Sequence, residues 1–149
     1  MKKTFFLSML LIFIMSSCNK DKYGNTDISS STHTVSWVFE DPSYTTTIIV
    51  PEITKDVLDN GAIMVYMTNF NGGWIALPCT LPMDASYAST FTPEFFVGGV
   101  KIWQTDTDLL TIDPGSMDFK VVVFTQKQLI EHPELVITDY SSVEKEFNL

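Results

Sequence analysis

Arginine is absent from the chain, and histidine and cysteine occur only twice each. Without arginine the protein lacks the planar, bidentate group that proteins most often use to grip phosphate or carboxylate. His33 and His132 are too few for a zinc site or a histidine-based catalytic triad. Cys18 and Cys79 are too few for a disulfide framework. We therefore predict no cofactor, no metal and no catalytic residues.

The charge of the chain is strongly one-sided. The chain has nine lysines and eighteen aspartates and glutamates, which gives a formal net charge of −9. If Lys2 and Lys3 are removed with a signal peptide, the charge becomes 7 − 18 = −11. A surface this acidic is repelled by the phosphate backbone of nucleic acids and by anionic lipid headgroups. The composition therefore excludes nucleic acid as a partner.

The N-terminus has the pattern of a bacterial lipoprotein signal peptide. Lys2 and Lys3 form a positive segment, and residues 5–15 form an apolar segment that is too short to span a bilayer. The Met-Ser-Ser-Cys sequence that ends at Cys18 looks like a lipobox, in which the cysteine is lipidated after cleavage. We predict that residues 1–17 are a cleaved signal peptide and that Cys18 anchors the protein to the membrane. The alternative is an ordinary secretory signal followed by a chance cysteine.

The segment after the lipobox is polar. Between residues 19 and 33 the only large apolar side chains are Tyr23 and Ile28. So few apolar groups cannot offset the entropy of ordering the chain. We therefore predict a lipidated flexible tether over residues 18–33, followed by a single β-rich domain over residues 34–149.

From residue 34 onward the apolar side chains recur mostly at every second position, as in Val35 and Trp37. The runs are rich in valine, isoleucine, threonine and aromatic residues, and both features favour strands. Strands are predicted near 34–40, 45–50, 62–69, 74–79, 86–92, 95–97, 100–105 and 118–125. The stretches 62–67 and 121–124 are apolar at consecutive positions, which predicts central strands covered on both faces.

Turn and cap residues divide these runs. Gly98-Gly99 predicts a two-residue hairpin loop that pairs Val97 with Val100. Short helical segments are predicted at 53–61, at 126–131 and at the C-terminus. Thr54 is expected to cap the first, and Gly61 to end it in the left-handed conformation.

The C-terminal segment combines a cap with an amphipathic pattern. Ser141 and Glu144 have the spacing of a capping box. Tyr140, Val143 and Phe147 fall on one face, which predicts a helix packed on the sheet. The fold class is therefore mainly β: an antiparallel β-sandwich or open barrel with two or three short helices, including a C-terminal one.

Several stretches of the chain also carry a family resemblance. They are VPEITKDVLDNGAIMVYM at 50–67, GGW at 72–74, Leu77-Pro78, FKVVV at 119–123 and the closing DYSSVEKEFNL. Together they resemble a group of small uncharacterised Bacteroidetes lipoproteins. The resemblance implies a secreted, lipid-anchored β domain and carries no catalytic or binding residue with it.

Many lipoproteins of these bacteria have a lysine and acidic residues after the lipidated cysteine, a pattern that directs them to the outer face of the outer membrane. Residues 19–22, Asn-Lys-Asp-Lys, match this pattern in part. We therefore predict a lipid-anchored outer-membrane protein, exposed at the cell surface, with the periplasmic face as the alternative.

An acidic cluster follows the strand predicted at 100–105. Asp106, Asp108 and Asp113 supply the hard oxygen ligands that calcium prefers. The EF-hand pattern fails, because Leu109 and Leu110 occupy positions that a coordinating loop leaves polar. A solvated acidic loop is the favoured interpretation, and the three aspartates remain weak metal candidates.

Two tryptophans are the candidate ligand-binding residues. Trp74 follows a glycine-rich loop, and Trp103 lies opposite in parity to Ile102 on its predicted strand. Exposed aromatic rings on a sandwich can stack on sugars, whereas aromatic residues on alternating strands more often belong to the core. Burial of both rings would end the sugar interpretation.

These observations lead to three functional hypotheses. The first is a non-enzymatic, lipid-anchored cell-envelope protein that binds or assembles with an envelope partner. The second is a carbohydrate-binding accessory lipoprotein of a glycan-uptake system. The third is a small hydrolase, because among eighteen acidic residues some carboxylates will lie close enough together for glycoside hydrolysis by chance.

Overall fold

The computed structural model describes residues 28–69, 71–108 and 112–149. Within these residues the chain forms nine strands and three helices. The strands are β1 (Ser29–Val35), β2 (Val38–Glu40), β3 (Ser43–Ile49), β4 (Ala62–Thr68), β5 (Trp74–Ala76), β6 (Cys79–Pro82), β7 (Ala88–Phe96), β8 (Gly99–Asp106) and β9 (Met117–Phe124). The helices are α1 (Lys55–Asn60), α2 (Gln126–Glu131) and α3 (Tyr140–Phe147). The predicted signal peptide, Cys18 and most of the predicted tether lie outside the described residues.

The strands form an antiparallel β-sandwich. One sheet has four strands in the order β1-β9-β4-β5, and the other has five in the order β2-β3-β8-β7-β6. The core between them draws buried side chains from both sheets, including Phe119 and Val121 from one and Phe91 and Ile102 from the other. The predicted fold class is confirmed, and of its two alternatives the sandwich is the observed one.

The four-stranded sheet is covered on its second face as well. Tyr66, Val122 and Phe124 point away from the central core and pack against Tyr140 and Val143 of α3. The predicted central strands are therefore β4 and β9, which lie in the middle of this sheet. Their consecutive apolar residues follow from burial on both faces.

Two runs predicted as single strands are each divided between the sheets. The run 34–40 becomes the end of β1 in the four-stranded sheet and β2 in the five-stranded sheet, and the run 74–79 becomes β5 and the start of β6. A chain that crosses between facing sheets keeps the same side chains directed at the shared core. The alternation therefore continues through the crossing and does not reveal it.

The folded domain begins earlier than the predicted boundary at 34. β1 starts at Ser29 and pairs with β9 from Ser29 opposite Val123 to Val35 opposite Met117. Its serines and threonines bury little apolar area, but its backbone groups are paired along a strand that is itself buried. Pairing with β9 thus overrides the polar composition that predicted a tether over residues 29–33.

The hairpin between β7 and β8 has a different register from the predicted one. Val97 and Gly98 form the loop, and Gly99 belongs to β8 and pairs with Phe96. Val100 therefore lies opposite Phe95 rather than Val97. Gly98 has φ +91°, so one positive φ angle is enough to close this turn.

The other glycine of the pair, and Gly61 after α1, are required by close backbone approach. A Cβ on Gly99 would lie 2.6 Å from the carbonyl oxygen of Ile48, and one on Gly61 would lie 2.3 Å from that of Phe124. Gly61 has φ −98°, so the predicted left-handed stop is wrong. The glycine lets the chain end α1 directly against β9.

The helices begin at capped residues. Thr54 accepts a hydrogen bond from the Val57 N–H at 3.3 Å, which confirms the predicted cap of α1. The cap of α3 is Asp139, whose carboxylate accepts from the Ser141 N–H at 3.0 Å. The predicted capping box at Ser141 is therefore wrong, because an aspartate two residues earlier starts the helix and places Ser141 inside it.

Candidate functional site

The two candidate tryptophans lie on opposite outer faces of the sandwich. Trp103 sits on β8 between Thr45 of β3 and Thr92 of β7. Ile102 beside it is fully buried in the core, so Trp103 points outward. Trp74 lies opposite Thr68 at the edge of the other sheet. The structure does not bring the two rings together, so they cannot form one stacking surface.

The surface around Trp103 is the outer face of the five-stranded sheet, which we call the Trp103 face. Its side chains alternate with the core residues of the same strands and are mostly hydroxyl-bearing or charged. It includes Glu40, Thr45, Thr47, Thr80, Thr90, Thr92, Glu94, Lys101, Trp103 and Thr105, and at its borders the exposed apolar side chains of Val38, Ile49 and Phe96. No helix of the described residues has its apolar side packed on this face, in contrast to the outer face of the four-stranded sheet.

The Trp103 ring is held in place by two charged neighbours. Its indole N–H donates to a carboxylate oxygen of Glu94 at 3.0 Å, and the Lys101 ammonium lies 4.3 Å from the ring centroid. An ammonium over an indole face gains cation–π attraction. Trp103 is partly exposed, so these contacts hold the ring while part of it remains accessible at the surface.

Lys101 also links the ring to the edge of the sheet. Its ammonium donates to Glu40 at 2.7 Å, and the Thr45 hydroxyl donates to the same carboxylate at 2.9 Å. The hydrogen bond from Lys101, followed by that from Thr45, lowers the pKa of Glu40 below its usual range. The Trp103 face is thus a connected set of an aromatic ring, hydroxyls and paired charges.

Trp74 has a structural role. Its ring lies 5.6 Å from that of Tyr140 on α3, and the Lys120 ammonium lies 4.8 Å from the Trp74 centroid. Lys120 also donates to the Tyr140 hydroxyl. Tyr66 packs edge-on against Tyr140 at 5.1 Å, and burial raises the pKa of Tyr66. Trp74 therefore helps to fix α3 on the sheet.

The three candidate aspartates are separated by their environments. Asp106 is 1% exposed and accepts from Ser89 Oγ at 2.5 Å, Gln104 Nε2 at 2.8 Å and Ile112 N at 3.1 Å. Asp113 is exposed and accepts from the Gly115 N–H in a local turn.

Asp108 is also exposed. In the described ranges, no three His, Cys, Asp or Glu residues come together in a way that could hold a metal ion. The structure therefore assigns Asp106 a fold-stabilising role at the start of the loop after β8.

The thiol of Cys79 is partly shielded from solvent. Cys79 is partly buried, its sulfur lies 3.5 Å from that of Met67, and burial raises the pKa of the thiol. A raised pKa keeps the thiol protonated and weakly nucleophilic. Cys79 is therefore a core-lining residue rather than a reactive one.

A groove of about 410 Å³ lies between α3 and residues 131–136, which end α2 and form the loop after it. Its wall includes His132, whose Nδ1 lies 2.8 Å from a carboxylate oxygen of Glu146 and whose ring packs on Phe147 at 5.0 Å. The contacts with Glu146 and Phe147 fix His132 against α3, so its position is explained by packing and hydrogen bonding.

Sequence reasoning placed Trp103 on a surface but missed Lys101, Glu94 and Glu40 around it. Lys101 was detectable, since it follows the same outward parity as Trp103 on β8. Glu40 and Glu94 come from other strands, so their approach depends on sheet order.

In the part of the chain that the structure describes, no helix is long and apolar enough to cross a bilayer. Comparison with family models, curated proteins and solved structures gives no match.

Proposed function

We propose that the protein is a lipid-anchored outer-membrane protein of the cell envelope that acts by binding a partner, and that the Trp103 face is its contact surface. One observation carries the choice of surface: among the described residues, α3 covers one outer face of the sandwich and no helix covers the other, where Glu94 and Lys101 contact the Trp103 ring. The anchor is supported by the charged and apolar N-terminal segments that precede Cys18.

Replacement of the predicted lipidated cysteine tests the anchor. Cys18→Ala should move the protein out of the membrane fraction and abolish incorporation of labelled fatty acid, because several acyl chains are needed for firm attachment. Cys79→Ala provides the matched control and should stay in the membrane. Fatty-acid labelling that persists in Cys18→Ala would contradict the anchor.

Site-specific crosslinking in cells tests the contact surface. A photoreactive residue at Thr92, exposed on the Trp103 face, should give a discrete crosslinked product. The same residue at Glu144, exposed on α3, is the control and should not. Equal products from both positions, or none from Thr92, would show that this face is not the contact surface.

The second candidate is carbohydrate binding on the same face, which the partly exposed Trp103 ring and the neighbouring threonine hydroxyls favour. Lys101 occupies one side of the ring, so a sugar would have to displace the ammonium or stack beside it. A bound glycan at one hundred times its dissociation constant would stabilise the fold by about 2.7 kcal/mol.

Thermal unfolding with a panel of envelope glycans separates these candidates. A glycan that raises the Tm of the parent and of Trp74→Ala, but not of Trp103→Ala, would support sugar binding. If no glycan raises the Tm of the parent while the Thr92 crosslink forms, the partner is not one of the glycans of the panel.

A further inference from the structure

Among the described residues, half of strand β3 is paired with another strand on one side only. β2 begins at Val38, opposite Thr45, because the chain before it belongs to β1 of the other sheet. β2 therefore pairs only with Ser43–Thr45. On the far side, β8 pairs with β3 along its whole remaining length. Within residues 28–69, 71–108 and 112–149, no strand pairs with residues 46–49 on the β2 side.

The register shows which backbone groups face this open side. Val50 donates to the Gly98 carbonyl at 2.8 Å, and Ile48 lies opposite Val100, so the even-numbered residues bond to β8. Bonding directions alternate along an antiparallel strand, so the N–H and C=O groups of Thr47 and Ile49 point away from β8. No hydrogen bond between described residues ends on these groups.

The open edge borders a groove of about 380 Å³. The opposite wall is the end of β1, from His33 to Ser36, and the buried side chains of Val35 and Ile48 face the space between the sheets. This volume lies at the lower end of the range for ligand-binding clefts, about 300 to 1,000 Å³. The groove forms because its two walls, the end of β1 and strand β3, belong to different sheets.

The edge lacks the usual protection against strand addition. Natural sheets block exposed edges with proline or charge. β7 also extends beyond its edge partner, and there it carries Pro93 and Glu94. Residues 46–49 are Thr-Thr-Ile-Ile, with strong strand propensity, no proline and no charge, and Ile49 is 65% exposed.

We infer that this edge receives an extended peptide segment of another protein, which continues the line of β2 and pairs with Thr47 and Ile49. Recognition by strand addition uses main-chain hydrogen bonds for affinity and alternate side-chain pockets for specificity. Side chains opposite Ile48 would enter the groove beside Val35, among threonine and serine side chains, so small β-branched side chains are expected there. Those opposite Thr47 would lie on the outer face.

Charge selects the flanks of this partner. The groove itself has no acidic residue in its lining, so it does not set the charge of the partner. The chain as a whole carries a net charge of −9, which acts at longer range. Long-range attraction therefore favours a segment flanked by lysine or arginine. The same charge repels a second copy of this chain. The partner class is thus an extended segment of small β-branched side chains with basic flanks.

The inference deepens the proposed binding function by naming a partner class, but it uses the backbone groups of Thr47 and Ile49 at the border of the Trp103 face rather than the Trp103 ring. Trp103→Ala should therefore leave peptide binding unchanged. A failed Thr92 crosslink would contradict the proposed contact surface but not the binding of a peptide at the edge.

Synthetic peptides test the edge directly on the purified, membrane-extracted protein in detergent. The probe is Lys-Lys-Thr-Val-Thr-Val-Thr-Val-Lys-Lys, whose valines suit the groove and whose threonines would bond to β3. N-methylation of the threonines removes the pairing N–H groups and should weaken binding by about tenfold or more. N-methylation of the valines, whose N–H groups point away from β3, is the matched control and should leave binding unchanged.

Two variants at one position test the protein side. Thr47→Pro removes an outward N–H on an edge strand and should abolish peptide binding, whereas Thr47→Val keeps the backbone and should bind like the parent. The Tm of each variant reports folding, and the methylated peptides decide the matter if Thr47→Pro does not fold.

Three results would overturn the inference: no binding of the probe, equal losses for both methylated peptides, or normal binding by a folded Thr47→Pro. Sedimentation of the protein alone adds a fourth. A dimer that Thr47→Pro dissociates would identify the occupant as a second copy rather than a peptide of another protein.

Discussion

Asp106 accepts hydrogen bonds from Ser89, Gln104 and the Ile112 backbone while being almost wholly buried. All three partners direct donors at the carboxylate, which therefore links β7, β8 and the loop that follows. Hydrogen bonds to a charged group are worth more than neutral ones, and a buried donor left without an acceptor is costly.

Asp106→Asn is expected to lower the free energy of unfolding by about 2 to 3 kcal/mol, because the NH2 group that replaces one carboxylate oxygen faces a donor that the oxygen had satisfied. Asp113→Asn, the control, keeps the oxygen that accepts from Gly115 and should change stability by less than about 0.5 kcal/mol. Urea unfolding of the two variants measures both effects. Equal stability of the pair would show that the Asp106 network is dispensable.

Calcium is expected to leave the Tm unchanged, as is a chelator. The Asp106 oxygens already accept from three protein donors, and Asp113 is engaged in a local turn. Ligand at one hundred times its dissociation constant would add about 2.7 kcal/mol, so specific binding would be visible. A calcium-dependent rise in Tm that is lost in Asp106→Asn or Asp108→Asn would restore the metal hypothesis.

Asp139 predicts a dependence of stability on acid pH. The hydroxyls of Ser141 and Ser142 donate to its carboxylate and lower its pKa below the usual range. The native state therefore favours the charged form. Its contribution is complete above the unfolded pKa of about 3.9 and is lost as pH falls through the lower folded value.

Asp139→Asn should therefore lower the stability at neutral pH and flatten its decline below about pH 4, since this cap no longer titrates. Urea unfolding across pH measures the profile, with Glu144→Gln on the exposed side of α3 as the control. If the stability of Asp139→Asn depends on pH as that of the parent does, this cap is not a cause of the acid dependence.

At the scale of elements, α3 is the piece that closes the second face of the four-stranded sheet. Val143 is fully buried and Tyr140 is 5% exposed, whereas Phe147 is only partly buried against Phe124 at 6.0 Å. The predicted packing face is confirmed, but its anchor is the first turn and a half of the helix rather than its end.

Val143→Ala is expected to cost about 2 kcal/mol, which is within the value of fully burying a valine side chain. Phe147→Ala should cost less than the 3 to 5 kcal/mol of a fully buried ring, because part of its surface already meets solvent. Thermal unfolding checks both, with Glu144→Ala as an exposed control. Val143→Ala melting with the parent would mean that α3 is loosely attached.

For the whole molecule, the two outer faces differ in kind. One is a second apolar interface closed by α3, and the other is mostly polar, with Trp103 among threonines and exposed Val38 and Ile49 near its edge. An antiparallel sheet can leave one face to solvent because its strands alternate buried and exposed side chains. The sandwich therefore has a structural side and a side available for contact.

Because Trp74 and Trp103 lie on opposite faces, their substitutions should act independently. Trp74→Ala is expected to cost about 3 kcal/mol through lost packing on Tyr140, and Trp103→Ala less, since its ring is not part of a buried cluster. The double variant should equal the sum of the two within about 0.5 kcal/mol. A larger coupling energy in denaturant unfolding would contradict the separation.

The sequence alone was sufficient for the fold class and for much of the local structure. Period-two patterns located most strands, Thr54 marked the start of α1, and consecutive apolar residues indicated the doubly buried β4 and β9. These features succeed because they depend on each residue's own neighbours along the chain. The lipobox at Cys18 belongs to the same local class and stays a prediction.

Tertiary structure alone decided which sheet each half-strand joins, and with it the candidate sites. Alternation shows that a side chain faces the core, but not which strand lies beside it, so the crossings after Val35 and Ala76 were invisible. For the same reason, the sequence did not show that Trp74 and Trp103 lie on opposite faces or that Asp106 is buried. Partners distant in sequence determine these outcomes, because burial and strand pairing are properties of the assembled sandwich.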